Sequence, residues 1–193
     1  MQNALDLEKQ KNLTARSIKA YLGWGLLPIC IFGVLSVFFW RGLSLKPHVL
    51  PSVMIDQKLP SFEVPILGDG TRLFSAESMQ GHPALLHVFA SWCDACAKEQ
   101  VFLLQLADRG VLLYGLNYKD DPLDALRWLE NWGDPYRMVG VDKTGRIGIE
   151  LGVYGTPETF LVDSNGIIRY RHVGILDKNT WDNVLRPKWQ TLS

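Results

Sequence analysis

Residues 84–96 read Ala-Leu-Leu-His-Val-Phe-Ala-Ser-Trp-Cys-Asp-Ala-Cys, and the order of these residues decides the fold. The apolar run Ala84–Ala90 predicts a buried strand. A helix-like stretch follows from Asp94 to Asp108, with Val101, Phe102, Leu104 and Leu106 supplying apolar surface. Cys93 and Cys96 therefore sit where a strand feeds a helix. At a helix N-terminus, backbone N–H groups and the macrodipole stabilise a thiolate, which points to Cys93 as the attacking thiol. Cys96 lies about one turn further on, close enough to close a disulfide and release a substrate from a mixed disulfide. Two other uses of the pair fit less well. Zinc needs about four ligands, whereas the third cysteine, Cys30, lies inside a long apolar run and His48, His82, His87 and His172 show no paired spacing. A static disulfide over so short a loop stabilises little, because the loop-closure benefit grows with loop length.

Outward from this centre, the C-terminal part reads as alternating strands and helices. Phe62–Val64 and Arg72–Phe74 form a lead-in hairpin around Gly68-Asp69-Gly70, and Ser75 caps a helical turn to Gln80. Val111–Asn117 is a second central strand. Pro122–Trp132 is a helix with proline in its first turn and Gly133 behind its end. Tyr136–Val141 is a short strand and Arg146–Leu151 a short helix. Glu158–Val162 and Ile167–His172 form a hairpin across Asp163-Ser164-Asn165-Gly166. Asp177–Leu185 is a last helix. This β-α-β-α-β-β-α order, with the thiol pair behind the first central strand, predicts an α/β, thioredoxin-like fold: a central mixed sheet flanked by helices.

The N-terminal part differs in kind. Residues 20–40 contain no charged side chain, and about 20 apolar residues span a bilayer core as a helix. Tyr21, Trp24 and Trp40 fall near the ends, where aromatic residues favour the interface. A cleaved secretory signal would have an apolar core of only about 7–15 residues with small residues behind it; here the run ends in Phe38-Phe39-Trp40-Arg41. An uncleaved transmembrane anchor is expected, in which Pro28 is tolerated. Lys9, Lys11, Arg16 and Lys19 precede the span and only Arg41 and Lys46 follow it closely, which places the N-terminus in the cytoplasm. The expected organisation is a cytoplasmic tail over 1–19, a transmembrane helix over 20–40, a linker over 41–59 and a thioredoxin-like domain over 60–193 beyond the membrane. In a bacterium that space is the oxidising periplasm. The chain has no net charge and no basic stripe, which gives nucleic acid no footprint. No dinucleotide, flavin or metal motif is present, so no cofactor is expected.

Several segments together resemble the membrane-anchored thiol–disulfide oxidoreductases of cytochrome c maturation, the CcmG/DsbE family. They are Pro60-Ser61-Phe62; Ala90-Ser91-Trp92-Cys93 with Cys96 and Glu99; Tyr114 to Asp120; Gly152 to Phe160; and Gly166 to His172. The dipeptide Asp94-Ala95 and the sequence Ala97-Lys98 depart from the family, which more often has an uncharged or proline-containing dipeptide and a basic residue directly after the second cysteine. The resemblance implies an inner-membrane protein with its domain in the periplasm. It implies reduction of the cysteines of apocytochrome c, or of a helper protein, before haem attachment. It also implies recharging by a membrane thiol:disulfide reductase of the DsbD or CcdA type, since this chain carries no second dithiol. A related anchored reductase, serving an oxidase copper site or another secreted protein, and an apocytochrome-binding chaperone are the competing readings.

The resemblance further implies that the Thr156–Pro157 peptide is cis and faces the redox pair, exposing backbone to a substrate strand. Trp92, Thr156 and Pro157 are the expected substrate-binding residues. Asp94, Glu99 and Glu158 are the expected redox tuners, because a nearby negative charge disfavours a thiolate and stabilises the disulfide. Glu99 on a surface salt bridge, and Trp92 as a core residue, are the plainer alternatives.

Overall fold

The computed structural model describes residues 28–42 and 54–192. Two separate units result, divided between Leu50 and Pro51. In the first, residues 28–42 form a helix, α1, whose side chains are all exposed, among them Phe32, Val34, Phe38 and Trp40. Among the described residues no helix is long and apolar enough to cross a membrane. The expected tail over 1–19, the first part of the expected span over 20–27, and most of the linker lie outside the described residues.

The second unit is built on a seven-stranded mixed sheet. Its strands are β1 (Glu63–Ile66), β2 (Asp69–Ser75), β3 (Ala84–Phe89), β4 (Leu113–Tyr118), β5 (Met138–Asp142), β6 (Glu158–Val162) and β7 (Ile168–Val173). They lie in the order β2-β1-β5-β4-β3-β6-β7. The three central strands β5, β4 and β3 are parallel; β6 runs antiparallel to β3, and β7 antiparallel to β6. Helix α2 (Asp94–Asp108) follows β3, α3 (Pro122–Trp132) follows β4, and α4 (Arg146–Glu150) follows β5. The last helix, α5, begins as Lys178–Thr180, widens into a π turn over Trp181–Leu185 and ends as Arg186–Leu192.

Period-two alternation along β3 splits the core into two layers. Leu86 and Val88 join Phe62, Phe74, Tyr114, Ile147 and Phe160 on one side of the sheet. Leu85 and Phe89 join Leu103, Leu106, Trp128, Val139, Leu161 and Trp181 on the other. Full burial of each such side chain contributes about 1.5–3 kcal/mol. Helix α2 turns Cys96, Glu99, Gln100, Leu103 and Leu106 inward at helical spacing. Helix α3 starts where the Asp121 carboxylate accepts the Leu123 N–H at 2.9 Å, and stops at Gly133 with φ of 90°.

The structure moves three sequence-based boundaries. The lead-in hairpin is part of the main sheet: Ile66 pairs with Gly140 of β5. Glycine is required there, since a Cβ on Gly140 would stand 2.6 Å from Phe74 and 2.7 Å from Val64. Residues 54–59, assigned to the linker by sequence, dock on the β6–β7 hairpin. The Asp56 N–H donates to the Ile168 carbonyl and the Leu59 N–H to that of Gly166, both at 2.8 Å, while Leu59 enters the core. Helix α5 runs past Leu185 to Leu192, because Trp189 continues its apolar face and packs 6.1 Å from Trp181.

Candidate active site

The chain leaves β3 at Phe89, turns through Ala90–Trp92 and enters α2 with Cys93 as the N-cap. Cys93 and Cys96 form a disulfide with their Cα atoms 5.3 Å apart. The Cys93 sulfur accepts the backbone N–H of Cys96 at 3.1 Å. That donor and the positive end of a 15-residue helix favour a thiolate at Cys93 once the pair is reduced. Cys93 is 5% exposed and Cys96 fully buried, so of the two cysteines only Cys93 reaches the surface at all.

The Thr156–Pro157 peptide is cis. Strand β6 runs antiparallel to β3 and its first residue, Glu158, pairs with Val88. The cis-proline therefore stands at the end of the sheet from which the chain runs into the cysteine turn. The Thr156 hydroxyl is buried without a hydrogen-bond partner.

Glu158 is wholly buried, and its side chain holds this loop. Oε1 accepts the N–H groups of Tyr154 at 2.8 Å and Gly155 at 3.4 Å. Oε2 pairs with Arg171, from Nε at 2.8 Å and from Nη2 at 2.6 Å. Arg171 also donates to the Gly152 carbonyl at 2.7 Å and lies 4.7 Å from the Tyr154 ring centroid. The carboxylate expected to tune the thiols is thus one half of a buried ion pair.

Glu99 corrects the surface alternative: it is 1% exposed, one turn below Cys96 on the buried face of α2. Its Oε2 accepts the Leu176 N–H at 2.6 Å and its Oε1 meets His87 Nε2 at 2.8 Å. The other ring nitrogen of His87 lies 2.6 Å from the Tyr136 hydroxyl. Burial, with the Glu99 and Asp134 charges, pushes the Tyr136 phenol well above its ordinary value of 10.0, so it keeps its proton. A Tyr136 hydroxyl that donates to Nδ1 goes with the His87 tautomer whose ring proton is on Nε2, facing Glu99. Asp94, by contrast, is exposed in the first turn of α2.

Trp92 is 58% exposed, which removes the core-packing alternative; its indole N–H donates to the Lys119 carbonyl at 3.1 Å. The residue before it is gripped by Asp120, which accepts the Ser91 N–H at 2.6 Å and the Ser91 hydroxyl at 2.8 Å. Sequence reasoning missed His87, Tyr136 and Arg171 as parts of the site. A histidine within the apolar run 84–90 was the available signal for the first of these. Arg171 carried none.

Comparison with known proteins agrees with this geometry. The redoxin family profile matches residues 54–185. The thiol:disulfide interchange protein DsbE of Pseudomonas aeruginosa is 43% identical over 167 residues, covering 86% of this chain and 93% of that protein. The chain belongs to the DsbE thiol:disulfide interchange proteins of the redoxin family. DsbE of Escherichia coli K12 is 39% identical over 174 residues, covering 87% and 94%. Among solved structures, a secreted Mycobacterium tuberculosis disulfide oxidoreductase homologous to E. coli DsbE shares 20% identity with a TM-score of 0.57, covering 68% of this chain and 96% of that one. The Thermus thermophilus thio-disulfide isomerase shares 21% at 0.56, covering 70% and 96%. These likenesses show a common thioredoxin-like fold.

As a DsbE-family protein the chain is a thiol–disulfide oxidoreductase, and the site accounts for each step. The Cys93 thiolate attacks one sulfur of a substrate disulfide and the other sulfur leaves as a thiolate. Cys96 loses its proton and attacks the Cys93 sulfur of the mixed disulfide. The second substrate thiolate leaves; in this direction two electrons pass from the enzyme, left as a disulfide, to the substrate, left as a dithiol, and the reverse sequence oxidises a substrate dithiol.

Proposed function

We propose that this DsbE-family chain is a membrane-anchored reductant of cysteines in apocytochrome c, or in a helper protein, during cytochrome c maturation. The observation that carries the reading is the Cys93–Cys96 pair at the start of α2, Cys93 at the surface edge and Cys96 fully buried, in a chain 39–43% identical to DsbE proteins along almost their full length. The uncharged run over 20–40 and the exposed apolar side chains of α1 support an inner-membrane anchor, and the basic residues ahead of it support a periplasmic domain. A membrane reductase of the DsbD or CcdA type returns the pair to the dithiol. Thr156 and Pro157 receive the substrate strand beside Trp92.

The test is a trap. With Cys96→Ser the mixed disulfide on Cys93 cannot resolve, so the substrate stays bound and mass spectrometry identifies it. Capture of an apocytochrome c or a maturation helper is expected. Capture only of unrelated secreted proteins overturns the substrate assignment, and a reporter fused after Ser193 that is active in the cytoplasm overturns the topology.

A further inference from the structure

Trp92 is more than half exposed, so burial does not fix its orientation. Its indole N–H donates to the carbonyl of Lys119. That carbonyl is aimed by an uncommon backbone: Lys119 has φ of 48°, in the left-handed region that non-glycine residues seldom enter. Such a conformation persists when its surroundings over-determine it. Here the Lys119 N–H is held by the Asp142 carbonyl at 3.0 Å, and the next residue, Asp120, is locked in place. Asp120 is 8% exposed and accepts four hydrogen bonds. They come from the Ser91 N–H at 2.6 Å, the Ser91 hydroxyl at 2.8 Å, the Asn117 amide at 2.8 Å and the Asp121 N–H at 2.9 Å. Two adjacent residues of the loop behind β4 thus grip two adjacent residues of the turn ahead of Cys93.

We propose that Lys119 and Asp120 are positioning residues that hold Trp92 as a fixed aromatic platform for the polypeptide flanking a substrate disulfide. Asp120 fixes the backbone of the turn through Ser91, and Lys119 fixes the indole. An apolar or aromatic side chain next to the substrate cysteine packs on the exposed ring before any sulfur reacts. A small disulfide has no flanking chain and makes no use of the platform. The proposal rests on the reading that the natural substrate is a protein disulfide.

The experiment compares two single-turnover reactions of the reduced full chain. One substrate is a disulfide-closed Cys-x-x-Cys peptide with an apolar flanking residue, and the other is oxidised glutathione. In each, the enzyme dithiol becomes a disulfide and the substrate disulfide becomes two thiols. Asp120→Ala, and Ser91→Ala as the milder change that removes only the hydroxyl donor, are compared with Trp92→Phe, which keeps a ring but loses the N–H. Loss of the hold is expected to slow the peptide reaction about tenfold more than the glutathione reaction, the ratio that about 1.4 kcal/mol of lost interaction gives. The ¹⁹F signal of a fluorotryptophan at position 92, assigned by its loss in Trp92→Phe, should shift or broaden in Asp120→Ala and Ser91→Ala. Equal losses with both substrates, or an unmoved ¹⁹F signal, overturn the proposal. A wild-type protein that reduces glutathione but no peptide defeats the protein-disulfide reading instead, and the ¹⁹F signal then decides by itself whether the loop holds Trp92.

Discussion

Replacing Arg171 by Met tests whether the loop bearing the cis-proline is held by a buried ion pair. The side chains of Arg171 and Glu158 are 5% and 0% exposed, and two nitrogens of the guanidinium approach one carboxylate oxygen at 2.8 and 2.6 Å. Removing one partner of such a pair leaves an uncompensated buried charge and costs about 3–5 kcal/mol. The Gly152 carbonyl loses its donor as well. For a domain of this size each kcal/mol lowers the melting temperature by roughly 3–5 °C, so the thermal midpoint of the full chain should fall by about 10–25 °C. Circular dichroism reads the midpoint. The double variant Glu158→Gln with Arg171→Met carries no orphan charge and keeps an acceptor for the Tyr154 N–H, so it should recover much of the loss. A cost below about 1 kcal/mol for Arg171→Met, the range of an exposed pair, would refute the reasoning. So would a double variant as unstable as the sum of the singles.

Three further outcomes follow from the same contacts. Tyr136 keeps its proton when folded and releases it near pH 10 when unfolded; the unfolded state then binds fewer protons, so stability falls as pH rises above about 10, by about 1.4 kcal/mol per unit. Tyr136→Phe should flatten that alkaline slope, and equal slopes in urea titrations of both proteins would show that the phenol is not the cause. Gly140→Ala forces a Cβ against Phe74 and Val64 and should cost about 1–3 kcal/mol. Val64→Ala in the same chain should return part of it, whereas no loss in the single variant would place the hairpin elsewhere. In the reduced protein an alkylating reagent should label Cys93 before Cys96, as read by peptide mass spectrometry; the opposite order would reverse the roles of the two thiols.

The parts legible in sequence are those that local chemistry decides. An apolar run ahead of Cys93, Pro122 behind Asp121, and Asn165-Gly166 between two β-rich segments each carry their own signal within a few residues. The N-terminal hairpin was readable as a hairpin. Its docking on β5 was not, because that contact is Ile66 against Gly140 and nothing near either residue announces the other. The site divides in the same way. The thiol pair and the proline loop are contiguous motifs. The groups that hold them are joined across 49 residues for His87 and Tyr136, 77 for Glu99 and Leu176, and 29 for Ser91 and Asp120. Spacing along the chain cannot express such pairs. The charge of Glu158 was legible, but the cation that compensates it belongs to the neighbouring strand.

That compensation alters how the acidic residues bear on the reduction potential. In sequence, Asp94, Glu99 and Glu158 add up to a negative field that disfavours the Cys93 thiolate and lowers the potential. In the structure Glu158 is paired with Arg171, Glu99 accepts from Leu176 and His87, and Asp94 is exposed to water at the positive end of α2. A neutral pair sets up little field beyond its own length, so the two members should act on the thiols with opposite signs. Glu158→Gln leaves the Arg171 cation alone, favours the thiolate and should raise the potential by up to roughly 30 mV, the equivalent of about one pKa unit. Arg171→Met leaves the carboxylate alone and should lower it by a comparable amount. The double variant should return to within about 10 mV of wild type, as equilibration with glutathione buffers would read. A double variant that keeps the raised potential of Glu158→Gln would mean that the carboxylate acts on Cys93 as a single charge. The return to wild type would instead leave the helix terminus, the Cys96 N–H and the burial of Cys96 as the groups that set the balance between dithiol and disulfide.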